Sequence, residues 1–359
     1  MNRLDRLRGL LDEEQVDALV VTTRSNIRYL SGFSGSAGTL VVTAGAATLV
    51  TDNRYALQAP DELARAGAAV EVRIAPSGGF AELVSLLKTV PVVGLEGDHI
   101  TWGQAERFAT ALPGEITATS GLVERLREHK DAGEVDRIET AAALADAALD
   151  EVRPLLGTGL TERDFATELD AAMRRGGADR SGFETIVASG PNSARPHHRP
   201  GDRPIQPTDL VVVDFGAEKD GYRSDMTRSF VLGEPDDRQT ELLEGVRAAQ
   251  AAGVAAAGPG VATSAIDAAC RTHLESIGLG EWFIHGTGHG VGLDIHEAPS
   301  VSATATATLA PGHIITVEPG VYLPEVGGVR WEDTLVITDD GARALTKAEK
   351  RPIVDLHTA

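Results

Sequence analysis

Two hydrophobic rhythms run along the chain, and they change near residue 125. Before that point, short apolar runs bounded by turn residues predict strands: DALVVTT, VEVRIA and PVVGLEG. TLVVTAGAATLVTD reads as a hairpin, with the small residues Ala44 to Ala47 near its turn, and FAELVSLLK reads as a helix. Strands and helices in this alternation predict a small α/β domain. TDNRY (residues 51–55) ends a strand, and its pattern assigns it no role.

From about 120 to 155 the pattern turns helical, and the glycine and charges from Lys130 to Gly133 mark a junction. The boundaries are placed at 1–128 and 129–359. Beyond the junction, Ala-rich helices are predicted over 135–156, 163–176, 237–257 and 263–277. The apolar strands are DLVVVDFG, YRSDMTRSFVLG, HIITVEPGVY and VRWEDTLVIT, and SATATATLAP (302–311) reads as a loop. Neighbouring strands joined by short turns pair antiparallel, so the second domain is α+β rather than doubly wound.

Two of these hairpins carry acids in apolar strands. Asp214 follows three valines, and an unpaired buried carboxylate is costly. A turn centred on Lys219 and Asp220 sets Asp214 directly across from Asp225, and a turn one residue later makes them diagonal neighbours on one face. In the second hairpin, a loop centred near Glu325 sets Glu318 opposite Glu332. The repeated strand-acid hairpin points to internal duplication. Like charges this close repel unless one is protonated or a cation lies between them.

The segment HGTGHGVGLDIHE (285–297) adds His285, His289 and His296 on a glycine-rich backbone. Its glycines lower helix and strand propensity, which predicts a sharp bend or a close approach to metal, phosphate or substrate. The strand–turn–helix context of a phosphate loop is absent. A lone acid in a strand usually faces solvent. Four in apolar strands, with an imidazole, form a hard, oxygen-rich site. That site suits two divalent ions, Mn²⁺ first, with Co²⁺ or Zn²⁺ as alternatives, and two dications balance four carboxylates.

Composition excludes other classes. With 33 Lys plus Arg against 53 Asp plus Glu, the formal charge is −20, which opposes nucleic-acid or anionic-membrane partners. The single cysteine, Cys270, permits no intrachain disulfide and reads as a small core residue in a helix. The N-terminus lacks the apolar region of a signal peptide, and no run is long enough to span a bilayer. The expectation is a soluble cytoplasmic protein. Aromatics make up only 4% of the chain, so the core must be largely aliphatic.

The set DFG (214–216), SDMTRSF (224–230), GTGHGVG (286–292), TVEPG (316–320) and VRWED (329–333) resembles the pita-bread metallopeptidases. Within them it is similar to the Xaa-Pro branch, aminopeptidase P and prolidase, a likeness that SGPNSARPHH (189–198) extends. The resemblance implies a pita-bread catalytic domain behind a smaller creatinase-like α/β domain. It further implies that Asp214 holds one ion, that Asp225 and Glu332 bridge both, and that His289 and Glu318 hold the other. His197, His285 and His296 would surround a proline-containing peptide, with His296 near the scissile carbonyl. Glu318 would move a proton to the prolyl nitrogen, so His197, His296 and Glu318 are the expected catalytic groups. Arg330 would order the site or meet the peptide beyond proline. His198, the other member of its pair, is assigned no role, and His273, His313 and His357 are read as structural.

The resemblance puts an aminopeptidase P first, with a dipeptide-restricted prolidase as the alternative and an inactive binding module as the remote one. Methionine aminopeptidase lacks so large an N-terminal domain, and creatinase lacks the metal ligands. A homodimer is expected, with the partner's N-terminal domain helping to close the site. Trp331 stands where the family usually has an aliphatic residue, and strand alternation turns it away from the ions. Gly327 and Gly328 are read as room for backbone approach, favouring substrates longer than a dipeptide.

Overall fold

The computed structural model describes residues 2–76 and 79–355, so His357 lies outside the described residues. The chain divides into two compact units, Met1–Arg127 and Glu128–Ala359.

The first unit carries strands β1 (Ala18–Val21), β2 (Thr39–Thr43), β3 (Ala47–Thr51), β4 (Glu71–Ile74), β5 (Val92–Glu96) and β6 (Glu115–Thr119). They form one mixed sheet in the order β4-β3-β2-β1-β5-β6. Val20, Val41, Val93 and Leu95 on this sheet pack with Leu83 and Leu87 of the helix Phe80–Leu87. At the end of β5, Glu96 Oε2 accepts from the backbone N–H groups of Thr22 and Thr23, at 2.6 and 2.8 Å. The carboxylate thereby fills the N-terminus of the helix Arg24–Ser31, where an anion could otherwise sit.

The second unit carries β7 (Arg180–Ser181), β8 (Ile186–Ser189), β9 (Leu210–Phe215), β10 (Ala217–Lys219), β11 (Tyr222–Arg223) and β12 (Met226–Leu232). After two helices follow β13 (Gly288–Gly290), β14 (Glu297–Val301), β15 (Ile314–Val317), β16 (Gly320–Leu323) and β17 (Gly327–Arg330), then β18 (Asp333–Thr338), β19 (Gly341–Ala344) and β20 (Ile353–Val354). Two sheets carry the site, β20-β12-β9-β8 and β14-β13-β15-β18-β19, and apart from the short parallel β20–β12 pair their neighbours run antiparallel. Helices Ala132–Val152, Glu162–Gly176, Asp237–Ala256 and Thr263–Ser276 pack against them. Asp131, at the expected junction, opens the first of these helices with a capping box: its side chain accepts from Glu134 N, and Glu134 Oε2 accepts from Asp131 N. Ala141, Ala145 and Ala148 on this helix are buried beside Phe165, Leu169 and Met173, so small residues let two helices approach closely. No helix among the described residues is long and apolar enough to cross a membrane.

The first hairpin turns at Asp220–Gly221, both with positive φ (48° and 79°), as the Asp-Gly dipeptide favours. Asp214 therefore pairs with Thr227, and Asp225 is its diagonal neighbour, the later of the two registers considered. In the second hairpin, Val317 pairs with Asp333 and Gly320 with Arg330. Glu318 and Glu332 thus face each other where the chain passes from one sheet to the next. Trp331 is buried, and its Nε1 donates to Leu243 O on a neighbouring helix at 3.1 Å, away from the acids. Cys270 is also buried, and burial pushes its thiol up to about 12.

Gly327 and Gly328 do admit a backbone, as expected, but it is the protein's own. A Cβ on Gly328 would come within 2.1 Å of Ser193 O, and Gly328 N donates to Ser193 Oγ. The space belongs to the segment Gly190–Ala194 rather than to a longer substrate.

His313 precedes β15. Its Nδ1 accepts from Ala310 N, and its Nε2 meets His129 Nε2 at 3.2 Å. Burial, then the charges of His129 and Lys130, push its pKa down to about 4. An unfolded chain takes up this proton below about 6.5 while the native chain refuses it, so stability falls as pH drops from there toward 4. His313→Asn keeps the acceptor and should flatten the decline by about 2 kcal/mol after allowance for solvent screening. Urea unfolding of both proteins at pH 7.5 and 4.5 checks this; parallel losses contradict it.

Candidate metal centre

Four acids and one imidazole converge on the floor of a cavity of about 390 Å³. Asp214 comes from β9, Asp225 precedes β12, His289 lies in β13, and Glu318 and Glu332 come from the crossing of the second hairpin. Ligand atoms of Asp225, His289 and Glu332 lie within 4.8 Å of one another. His289 Nε2 is 3.2 Å from Glu318 Oε1 and 3.6 Å from Asp225 Oδ2. Its Nδ1 donates to Gly290 O at 3.0 Å, which aims Nε2 at the carboxylates.

Charge in this cluster is not balanced by the protein. Burial first, then Glu332, Asp214 and Glu318, push Asp225 well above the usual carboxylate range. Burial followed by Glu318 and Asp214 does the same to Glu332. Burial also raises Asp214, against the pull of Arg330. Burial works against Glu318 as well, but His289 and Arg330 outweigh it and hold this carboxylate down to about 2. Asp214 Oδ1 and Glu332 Oε1 are buried without a hydrogen-bond partner. Orphaned anionic oxygens beside an imidazole nitrogen aimed at them are what a pair of hard dications would satisfy, so the residues fit such ions.

The remaining oxygens are held by hydroxyls and one buried guanidinium. Thr227 Oγ1 donates to Glu332 Oε2 at 2.7 Å and accepts from Arg330 Nε at 3.0 Å. Arg330 Nη2 donates to Asp214 Oδ2 at 2.6 Å, and Nη1 donates to Tyr322 OH at 2.7 Å. Arg330 is 3% exposed and engaged on all sides, which makes it an organiser of the ligands. Tyr322 in turn lies 3.0 Å from His285 Nε2, while His285 Nδ1 donates to Gly286 O. Burial lowers the pKa of His285, which suits a neutral ring accepting from the tyrosine.

His197, His285 and His296 all line the cavity, as does Arg330. The His296 ring stands edge-on to His289 with centroids 4.3 Å apart, and burial and the His289 charge lower its pKa. His198 turns away and meets the buried Glu162 at 2.8 Å, so the two adjacent histidines separate into a cavity residue and a scaffold residue. Thr227 and Tyr322 were missed by sequence reasoning. Strand alternation carries the signal for Tyr322, which follows Glu318 at even spacing. The glycines of the histidine segment serve backbone packing: a Cβ on Gly288 would sit 2.1 Å from Thr316 O, and one on Gly290 2.3 Å from Ala298 O. They admit β13 between β14 and β15, and His289 reaches the acids as a consequence.

Thr227→Val should weaken metal binding about 10- to 100-fold, because it frees one Glu332 oxygen and loosens Arg330. Calorimetric titration of metal into chelator-treated protein measures this; unchanged affinity would show that the hydroxyl does not orient the ligand.

Residues 136–339 match the model for metallopeptidase family M24, and residues 3–129 match the Creatinase/Prolidase N-terminal domain. The Xaa-Pro dipeptidase of Pyrococcus furiosus is 36% identical over 350 residues, covering 97% of this chain and 98% of that protein. The structure of an Xaa-Pro dipeptidase from Bacillus anthracis superposes with a TM-score of 0.95 at 36% identity, covering 98% of this chain and 99% of that one. An X-Pro aminopeptidase structure from Thermotoga maritima gives 0.89 at 32% identity, covering 99% and 100%. With an antiparallel pita-bread domain that follows a mixed α/β domain in sequence, the chain belongs to metallopeptidase family M24, a family of dinuclear-metal hydrolases.

Proposed function

We propose that the protein is an Xaa-Pro dipeptidase, a prolidase that cleaves the bond before a C-terminal proline. The observation that carries this is the cluster of Asp214, Asp225, His289, Glu318 and Glu332 under a cavity lined by His197, His285 and His296. Sequence motifs put aminopeptidase P first. Relatives that span the whole chain and carry the dipeptidase name favour the alternative. So do the covered glycines at 327 and 328, and a cavity near the small end of the range for ligand sites.

In this reading Asp214 would hold one ion, Asp225 and Glu332 would be shared, and His289 and Glu318 would hold the second. The oxygen-rich donor set favours Mn²⁺ over a thiophilic choice. When bound, the ions supply Lewis acidity and a hydroxide nucleophile near neutral pH. Arg330 and Thr227 keep the carboxylates aimed inward. His296, whose burial favours the neutral ring, would donate a hydrogen bond to the carbonyl oxygen as negative charge grows there. Glu318 would take the proton released as water attacks the carbonyl and pass it to the prolyl nitrogen as the C–N bond breaks. His197 and His285 bound the peptide on its open sides.

Mn²⁺-loaded protein offered Ala-Pro and Ala-Pro-Ala together should release products from the dipeptide alone by mass spectrometry, and a chelated control should release none. Loss of N-terminal alanine from the tripeptide would restore the aminopeptidase reading, and no cleavage of either would end both. Asp225→Ala should lose its metal and turnover together; a metal-loaded, active variant would remove Asp225 from the ligand set.

A further inference from the structure

We propose that Lys130 is a positioning residue for His296, acting through the buried carboxylate of Glu297. The inference rests on the peptidase reading, in which His296 meets the substrate. Lys130 belongs to the charged stretch that marks the junction in sequence, where a lysine would ordinarily be solvated. Instead its side chain is 1% exposed and its Nζ lies 2.7 Å from Glu297 Oε1, itself only 7% exposed. Ion pairs this deeply buried are costly to form, and their attested value lies in fixing one arrangement rather than in stability.

The arrangement fixed here is the segment that ends in His296. His296 lies in the bend just before β14, which begins at Glu297. His296 faces the cavity, and the next residue, Glu297, points behind it toward Lys130. Glu297 is the first residue of β14, and its backbone pairs with Gly290, the neighbour of His289. Gly292 packs on the Glu297 carboxylate so closely that a Cβ there would meet Oε1 at 2.2 Å. Asp294 N approaches Glu297 Oε2 at 3.4 Å, and Gly292 O accepts from Arg223 N at 2.9 Å. The carboxylate is therefore the post around which residues 292–296 bend. Lys130 is anchored in its own right, because its backbone N donates to Gly312 O at 2.9 Å just ahead of β15. A fixed cation thus holds a fixed anion, and the anion holds the loop that carries His296.

Lys130→Met alone strands a buried carboxylate and invites misfolding, so the test uses Lys130→Met with Glu297→Gln, which removes both charges and keeps the volume. This double variant should keep the wild-type metal content and a similar melting temperature. Its kcat/KM on Ala-Pro should fall about tenfold, mostly in kcat, since misplacement of a group that acts in the transition state lowers turnover. In a His296→Ala background the same two substitutions should cost almost nothing, because the group they position is gone. Equal losses in both backgrounds, no loss in either, or loss of metal would overturn the proposal. A readout independent of activity separates this failure from failure of the peptidase reading. In spectra of protein carrying ¹³C-labelled histidine, the His296 ring signal, assigned by its absence from His296→Ala, should broaden or split in the double variant. An unchanged His296 signal would overturn the proposal even if the wild type cleaves no proline peptide.

Discussion

Four carboxylates buried around one imidazole cannot all stay charged unless cations join them, and the second unit is built around that constraint. Asp225 and Glu332 are driven upward by burial and by each other's neighbours. Protonation would relieve the repulsion at the expense of the site; bound dications relieve it while keeping every oxygen available. The fold delivers the acids from paired antiparallel hairpins, so backbone pairing rather than mutual attraction brings like charges together. The hydrogen-bonded ladders on either side resist the repulsion.

Around the acids runs a continuous set of donors. Arg330 ties Asp214 to Tyr322 and Thr227, and Thr227 ties Arg330 to Glu332. Behind them Arg228, fully buried, donates to the backbone carbonyl of Glu332 and to the side chain of Asp333 at 2.9 Å. Asp333 also accepts from Gln250 and Lys350. The clustered acids therefore stand on a framework whose own charges are matched, while the carboxylate oxygens that lack partners face inward. In the proposed peptidase, rigid support of this kind would let His296 meet the substrate at a defined point.

The local part of this design is legible in the sequence. Valines before Asp214, the Asp-Gly turn and the two-residue alternation around Glu318 and Glu332 are short-range signals, and they lead to the acids. The four long helices of the second unit follow from their alanine and leucine spacing and begin within a few residues of the expected places. In the first unit the helices Gln58–Ala66 and Trp102–Ala111 escape pattern reading because they bury little, Ala59 and Leu63 in one and Phe108 in the other. The strand Glu115–Thr119 lies at the sheet edge and buries no residue fully. The supporting partners are illegible for another reason. Arg228 meets the Glu332 carbonyl 104 residues away, and no local spacing encodes that contact. The glycines at 288, 290, 327 and 328 were read toward ion or substrate, yet the atoms they make room for belong to strands and turns distant in sequence.

The account depends on two cations sitting among five named side chains. Anomalous diffraction from crystals grown with Mn²⁺ tests this most directly. It predicts two peaks in the cavity, one in contact with Asp214, one in contact with His289 and Glu318, and both in contact with Asp225 and Glu332. A single peak, peaks on other residues, or direct hydrogen bonds filling the places of Asp214 Oδ1 and Glu332 Oε1 would contradict it.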